Sequence, residues 1–325
     1  MRINEFFQTK MALGSNVDIN IVTSTPTKEM DALFSDLWIA IFNFEKRFSR
    51  FLPDSELSAF NRSAGIKQQI SPEFRDLLLT AKSLSQKTGG LYNPFILPAL
   101  QRAGYMHSAV PGYEGDAVDD FSNNQVVAHD QLEVGDTWAR IPYGTALDMG
   151  GCGKGYLADE LRPLLNVPGI LGYWVSMGGD VMTYGHDAEG KTWKIDVQSA
   201  VDTSKASDWY IECPSSHFAI ATSGTFRRPS QSAKKDWHHI IDPRTLQSAE
   251  TDVRLATICM DSSVQADVVA SCAVILGSKK AGAFLKQQNV DAYMLQAQRA
   301  SKYFVQKNGA VFHQKARVVK VAHHA

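Results

Sequence analysis

The run Leu147-Asp148-Met149-Gly150-Gly151-Cys152-Gly153-Lys154-Gly155-Tyr156-Leu157-Ala158-Asp159-Glu160 constrains the fold more than any other stretch of the chain. Its glycines let the backbone pass close to a ligand. Lys154 supplies a positive point charge, and the helix that begins at Gly155 aims unpaired N–H groups at any anion. A plain strand-to-helix turn is the competing reading of the same glycines. The order G-G-C-G-K-G is not the G-x-G-x-x-G of a dinucleotide fold, and the flanking elements do not form a βαβ unit. Gly155 also stands where a Walker loop needs Ser or Thr. Both familiar parallel-sheet phosphate loops are therefore excluded.

The remaining pattern agrees. Residues 11–25 alternate as one half-buried strand, and 28–48 keep helical apolar spacing through Met30, Leu33, Leu37, Ile41 and Phe44. Ser55 and Ser71 each open a helix, the second running from Phe74 to Gln86 until Gly89-Gly90 stops it. Short β-like runs at 125–127 and 139–141 lie in an Asp-, Asn- and Gly-rich region. A helix at 155–165 is followed by strands at 173–176, 194–197, 218–221 and 254–260, then helices at 265–276 and 282–288. Strands grouped with helices but without βαβ alternation predict an α+β protein. One domain over 1–325 is expected, or two lobes with a boundary near 108–124.

Charge excludes one class of partner. Thirty-three Lys and Arg against 34 Asp and Glu leave no global field to draw in a nucleic acid. No apolar run approaches the length of a membrane span, and MRINEFFQTKMALGSN has no apolar signal core. The expected location is cytoplasmic, or periplasmic if a leader has been trimmed away. Cys152, Cys213, Cys259 and Cys272 lack zinc-site spacing and read as free thiols.

Four more clusters carry polar chemistry. Ser176-Met177-Gly178-Gly179-Asp180 ends a strand with two glycines and a carboxylate, which a capping turn also explains. Ala221-Thr222-Ser223-Gly224 ends another with two hydroxyls, and Arg227 and Arg228 follow within reach of an anion. In Trp237-His238-His239-Ile240-Ile241-Asp242-Pro243-Arg244-Thr245 the adjacent imidazoles would point to opposite faces of a strand and not share one ion. Within Gln265–Ser271, Asp267 and Ser271 stand at i and i+4 on one helix face. An aspartate in an apolar helix is costly unless paired or ligating a metal, and hard oxygen donors suit Mg2+. An Asp at a helix start beside an incidental Ser is the alternative.

Taken in order, these clusters resemble the FAD:protein FMN transferase (ApbE-type flavin transferase) family. The resemblance starts at Met11-Ala12-Leu13-Gly14-Ser15 and continues through Phe48-Ser49-Arg50-Phe51-Leu52-Pro53-Asp54-Ser55-Glu56-Leu57-Ser58, Asn61 and Gly89-Gly90-Leu91-Tyr92-Asn93-Pro94. It then takes in the five clusters above. It implies a T-fold-like architecture of mixed or antiparallel sheets with packed helices and a central cleft. It also implies an enzyme that cleaves FAD with Mg2+, transfers the FMN half to a Thr or Ser hydroxyl of an acceptor protein and releases AMP, a covalent flavinylation.

Carried over by position, the Asp267 carboxylate, the Ser271 hydroxyl and a backbone carbonyl near Gly151 would hold Mg2+. FAD contacts would come from Leu13, Phe51, Leu91, Tyr92, Asn93, Asp148, Lys154 and Ile241. His239 is the first candidate base on general grounds, because imidazole titrates near neutrality, and Asp267 is the second. An Mg2+-dependent FAD pyrophosphatase giving FMN and AMP, and a non-catalytic FAD-binding protein, are the alternatives. The chain departs from the family pattern in four places. Ser271 stands for the usual Thr, Tyr92-Asn93 for Phe-Asp and Leu246 for Gly, and Ala270 occupies a position that is acidic in some members.

Overall fold

The alternation near the amino terminus is a hairpin, where one strand over 11–25 was expected. Strands β1 (Asn4–Ala12) and β2 (Ser15–Thr23) pair antiparallel with Ala12 opposite Ser15. Leu13 and Gly14 make the turn, both in the left-handed region at φ 55° and 69°. Leucine fits there poorly, so no Asn-Gly or Asp-Gly signal marked the turn. The turn is held from outside, by the Leu13 N–H donating to Glu45 Oε1 at 2.8 Å. A computed structural model describes residues 3–106, 125–202, 204–226, 238–297, 301–306 and 311–315. The expected lobe boundary at 108–124, and Arg227, Arg228 and Trp237, lie outside them.

Helix α1 (Thr27–Phe48) follows, then α2 (Glu56–Arg62), β3 (Gln68–Gln69), α3 (Pro72–Lys87) and α4 (Leu97–Arg102). Ser55 and Ser71 cap α2 and α3 as their positions predict, each side chain accepting a backbone N–H three residues on. The run at 125–127 is not a strand. The next elements are β4 (Glu133–Val134), β5 (Trp138–Arg140), α5 (Gly153–Leu165), β6 (Ile170–Met177) and β7 (Asp180–Gly185). Then come β8 (Lys194–Gln198), β9 (Ala206–Glu212), β10 (Phe218–Gly224), β11 (Ile241–Asp242), β12 (Gln247–Ser248) and β13 (Val253–Met260). Helix α6 (Ser263–Gln287) precedes β14 (Ala292–Ala297), β15 (Ser301–Gln306) and β16 (Val311–Gln314). The two helices expected from 265 to 288 are one run broken at Gly277, whose φ of 71° no helix accommodates.

Eight strands form one sheet in the order β1-β2-β6-β7-β10-β13-β14-β15, and every neighbouring pair is antiparallel. The α+β expectation holds. Period-two alternation lets the sheet bury both faces. On β10, Ala219 and Ala221 pack towards α6, while Phe218 and Ile220 join Trp193, Val197 and Ile211 under the small β16-β9-β8 sheet. Helices α1 and α5 cover β2 and β6 through Phe34, Leu37, Leu157 and Leu161. Among the described residues, α6 alone has the length and apolarity to cross a membrane, a property the sequence reading missed. Val268, Val269, Cys272 and Ala273 of this helix are instead packed into the core. All four cysteines are buried free thiols.

Candidate active site

A cavity of about 540 Å³ opens where the β1–β2 turn, the start of α5, the end of β10 and the first turns of α6 converge. Its size suits a small-molecule ligand. All twelve residues expected to hold Mg2+, contact FAD or act as base line it, although they come from segments spread between Leu13 and Ser271.

One end gathers the charged groups Lys154, Asp180 and Asp267. Helix α5 begins at Gly153 and turns Lys154 into the cavity. Gly155 lets α5 lie against α6, because a Cβ there would meet Ser263 O at 2.5 Å and Val264 Cα at 2.6 Å. Asp159, one turn on, clasps the start of α6. Its carboxylate accepts the Ser262 hydroxyl (3.0 Å) and the N–H groups of Ser263 (3.0 Å) and Val264 (3.1 Å). The clasp fixes α6, and with it Asp267 and Ser271, relative to Lys154.

Asp267 is 7% exposed, and its Oδ2 is buried with no hydrogen-bond partner. Burial first, and then the charge of Asp180, push its pKa up to about 8 against the pull of Lys154 and the Gly155 N–H. Ser271 shares a 2.9 Å hydrogen bond with the Ser223 hydroxyl, joining α6 to the end of β10. The Thr222 N–H donates to Asp180 Oδ1 at 3.0 Å. Asp180 opens β7 directly after Gly178 and Gly179, both at positive φ, so the glycine pair turns a hairpin.

A buried carboxylate with an orphaned oxygen, one turn from a hydroxyl, fits a hard cation that retains some waters. Gly151 lines the same cavity and its carbonyl would supply a third oxygen. Among the described residues no cluster of three His, Cys, Asp or Glu side chains exists to bind a metal more tightly. The donors suit Mg2+ better than zinc.

The other end is aromatic and centred on a residue that sequence reasoning missed. Arg50 Nε lies 2.6 Å from Asp148 Oδ2. Its guanidinium sits 4.1 Å from the Phe51 ring and 4.5 Å from the Tyr105 ring, and it donates to the Tyr105 carbonyl at 3.0 Å. Burial lowers the Arg50 pKa while Asp148 works against that shift. Asp148 Oδ1 also accepts the Gly150 N–H at 2.8 Å. The Tyr92 hydroxyl donates to Cys152 Sγ at 3.0 Å, which turns the ring inward beside Gly151. The Asn93 amide is committed to the fold, accepting the Phe95 N–H and donating to the Val127 carbonyl. Leu91 and Ile241 complete the apolar wall.

His238 and His239 precede β11 and are not in a strand. They part nonetheless. His238 Nε2 donates to the Ala249 carbonyl at 3.1 Å, and burial lowers its pKa. His239 lines the cavity. Leu246 occupies the left-handed region at φ 56°, which explains why glycine suits that position better. Glu45, Arg50, Asp180 and Tyr105 also line the cavity. Arg50 lay within a quoted motif, but nothing in its spacing from Asp148 marks a buried ion pair.

Comparison with known proteins follows the same outline. Residues 13–294 match the model of the ApbE family. The FAD:protein FMN transferase of Treponema pallidum is 26% identical, over 90% of this chain and 85% of its own length. That of Salmonella typhimurium is 24% identical, over 86% and 79%. The apo crystal structure of the Pseudomonas stutzeri flavinyl transferase ApbE superposes with a TM-score of 0.75 at 20% identity, covering 97% of this chain and 95% of its own. The Vibrio cholerae flavin transferase ApbE gives 0.74 at 20% identity, covering 97% and 98%. The architecture expected from the resemblance is thus the observed one, and with most of its length matched this chain belongs to the ApbE family.

Proposed function

We propose that the protein is an Mg2+-dependent FAD:protein FMN transferase: it moves the FMN half of FAD onto a Thr or Ser hydroxyl of an acceptor protein and releases AMP. The observation that carries this reading is the buried Asp267 Oδ2, unpartnered beside Lys154, in a cavity whose far end is aromatic. A dinucleotide that is anionic at its centre and flat at one end matches that polarity.

Lys154 and the N–H groups at the start of α5 bind the pyrophosphate oxygens. Phe51 and Tyr92 offer surface to the flavin ring, with Arg50 holding Phe51 in place. Asp267, Ser271 and the Gly151 carbonyl would hold Mg2+, which would supply neutralisation of the pyrophosphate and of the charge that builds as the phosphorus–oxygen bond breaks. The acceptor oxygen bonds to the FMN-side phosphorus, the pyrophosphate bond breaks, and AMP leaves with the bridging oxygen. His239 lines the cavity outside the metal-binding set and takes the hydroxyl proton.

The test incubates the protein with FAD, MgCl2 and threonine-containing polypeptides, following AMP by chromatography and bound flavin by in-gel fluorescence. Matched AMP and labelled polypeptide support transfer. AMP without label would make the protein a pyrophosphatase, and FAD binding without AMP a carrier.

A further inference from the structure

Among the described residues, Leu13, Leu246 and Asn289 hold a positive φ without being glycine, and of these Leu13 alone lines the active-site cavity. Asparagine tolerates the left-handed region, but a leucine held there is strained. Asn-Gly would fold the same two-residue turn more easily than Leu13-Gly14 does. A strained residue persists only where its surroundings over-determine it, and such residues cluster at ligand sites. The question is what holds Leu13 in place, and for what.

Glu45 supplies the hold. With φ positive at both central residues, the Leu13 and Gly14 N–H groups lie outside the β1–β2 ladder and need an acceptor from elsewhere. Glu45 is 7% exposed, and its Oε1 accepts the Leu13 N–H at 2.8 Å. Burial raises the pKa of this carboxyl, while hydrogen bonds from the Leu13 and Gly14 N–H groups pull it back. Glu45 also stands in the last turn of α1, where its own carbonyl accepts the N–H of Ser49. Arg50 and Phe51 follow directly. One helix end therefore sets both the Leu13 turn and the segment that carries the aromatic end of the cavity.

We propose that Glu45 is a positioning residue for nucleotide binding: its carboxylate holds the Leu13–Gly14 turn in the left-handed form and so sets Leu13 against the bound FAD. The proposal rests on the FAD reading above and adds a residue to it that acts through another. Glu45 takes no part in the transfer step. Because Glu45 lines the cavity as well, direct contact with the ligand is the competing role.

The test compares Glu45→Ala, Glu45→Gln, Leu13→Gly and the double variant Glu45→Ala/Leu13→Gly with the wild type. Flavin fluorescence in MgCl2 gives the FAD dissociation constant, AMP release at saturating FAD gives kcat, and thermal melting reports the fold. In Glu45→Ala the dissociation constant should rise about tenfold, the order expected when a charge-assisted hydrogen bond is lost. Its kcat should stay within about twofold of the wild type, since the lost interaction is one of binding. Glu45→Gln should lie between the two, because its amide oxygen still accepts the Leu13 N–H, and it keeps the comparison if Glu45→Ala does not fold. Glycine takes a positive φ unaided, so adding Glu45→Ala to Leu13→Gly should change the dissociation constant little. Unchanged FAD affinity in Glu45→Ala overturns the proposal and leaves the FAD reading standing. A fall in kcat and melting temperature with affinity intact also overturns it, by making Glu45 a residue of the fold alone. Equal effects of Glu45→Ala in the wild-type and Leu13→Gly backgrounds overturn it too, because Glu45 then meets the ligand itself. A wild-type protein that binds no FAD overturns both readings.

Discussion

Arg50 and Asp148 meet at 2.6 Å with each side chain only 7% exposed, which ties the segment after α1 to the glycine-rich run before α5. The rings of Phe51 and Tyr105 and the Tyr105 carbonyl enclose the guanidinium. A pair desolvated to this degree contributes little net stability, but losing one partner strands the other. Arg50→Ala should therefore destabilise the fold by about 3–5 kcal/mol. Adding Asp148→Asn should restore part of the loss. Urea denaturation of the three variants checks both statements, and a drop below about 1 kcal/mol for Arg50→Ala would mean that water reaches Asp148.

Asp267 predicts a pH dependence in the metal-free protein. Its folded pKa, pushed up to about 8 mainly by burial, lies above the ordinary 3.8, so the folded state holds a proton that the unfolded state releases. Stability from this group is complete below about pH 4 and is lost as pH rises through about 8. In EDTA, Asp267→Asn should raise the melting temperature by several degrees at pH 8 and change it little at pH 4. The same variant should lose Mg2+-dependent turnover. Identical melting curves at both pH values would show that the carboxylate is solvated.

Gly155 predicts a steric result. An alanine Cβ would fall 2.5 Å from a backbone oxygen of α6, and backbone cannot rotate aside as a side chain can. Gly155→Ala should cost about 1–3 kcal/mol and weaken flavin transfer by displacing Asp267 from Lys154. A variant with wild-type melting and turnover would show that α5 and α6 can separate freely.

Lys154→Ala should weaken FAD binding by about 1–3 kcal/mol through loss of a charge-assisted contact. The deficit should shrink as salt is raised, because the removed attraction is electrostatic. Titration of flavin fluorescence at two ionic strengths measures this directly, and unchanged affinity would place the lysine outside the ligand's reach.

Where a signal was local, the sequence was legible. Ser55, Ser71 and the apolar spacing of α1 act within a few residues, so their helices could be read from the chain. Asp267 and Ser271 stand at i and i+4 of one helix, so their placement on one face, both lining the cavity, could also be read. The β1–β2 turn was hidden because leucine occupies a position that favours glycine, and Glu45, thirty-two residues away, holds it. The role of Arg50 depends on aromatic rings and a carboxylate brought in from other segments. Asp159 read as part of a glycine-rich motif, but its function is to cap a helix more than one hundred residues later. Such long-range assignments exist only in the folded chain, and the two-sided alternation of β10 does not say which sheet or helix covers each side.

The clasp of Asp159 on α6 also has a meaning for assembly. Lys154 and Asp267 cannot face one another until α5 and α6 dock, and the Leu13 turn needs α1 in place as well. Partly folded chains therefore lack the pocket, so FAD should bind the native state alone. By mass action such a ligand shifts the folding equilibrium, and a hundredfold excess over its dissociation constant adds about 2.7 kcal/mol. Flavin supply would then set how much of the chain survives as folded protein, as well as how fast it works.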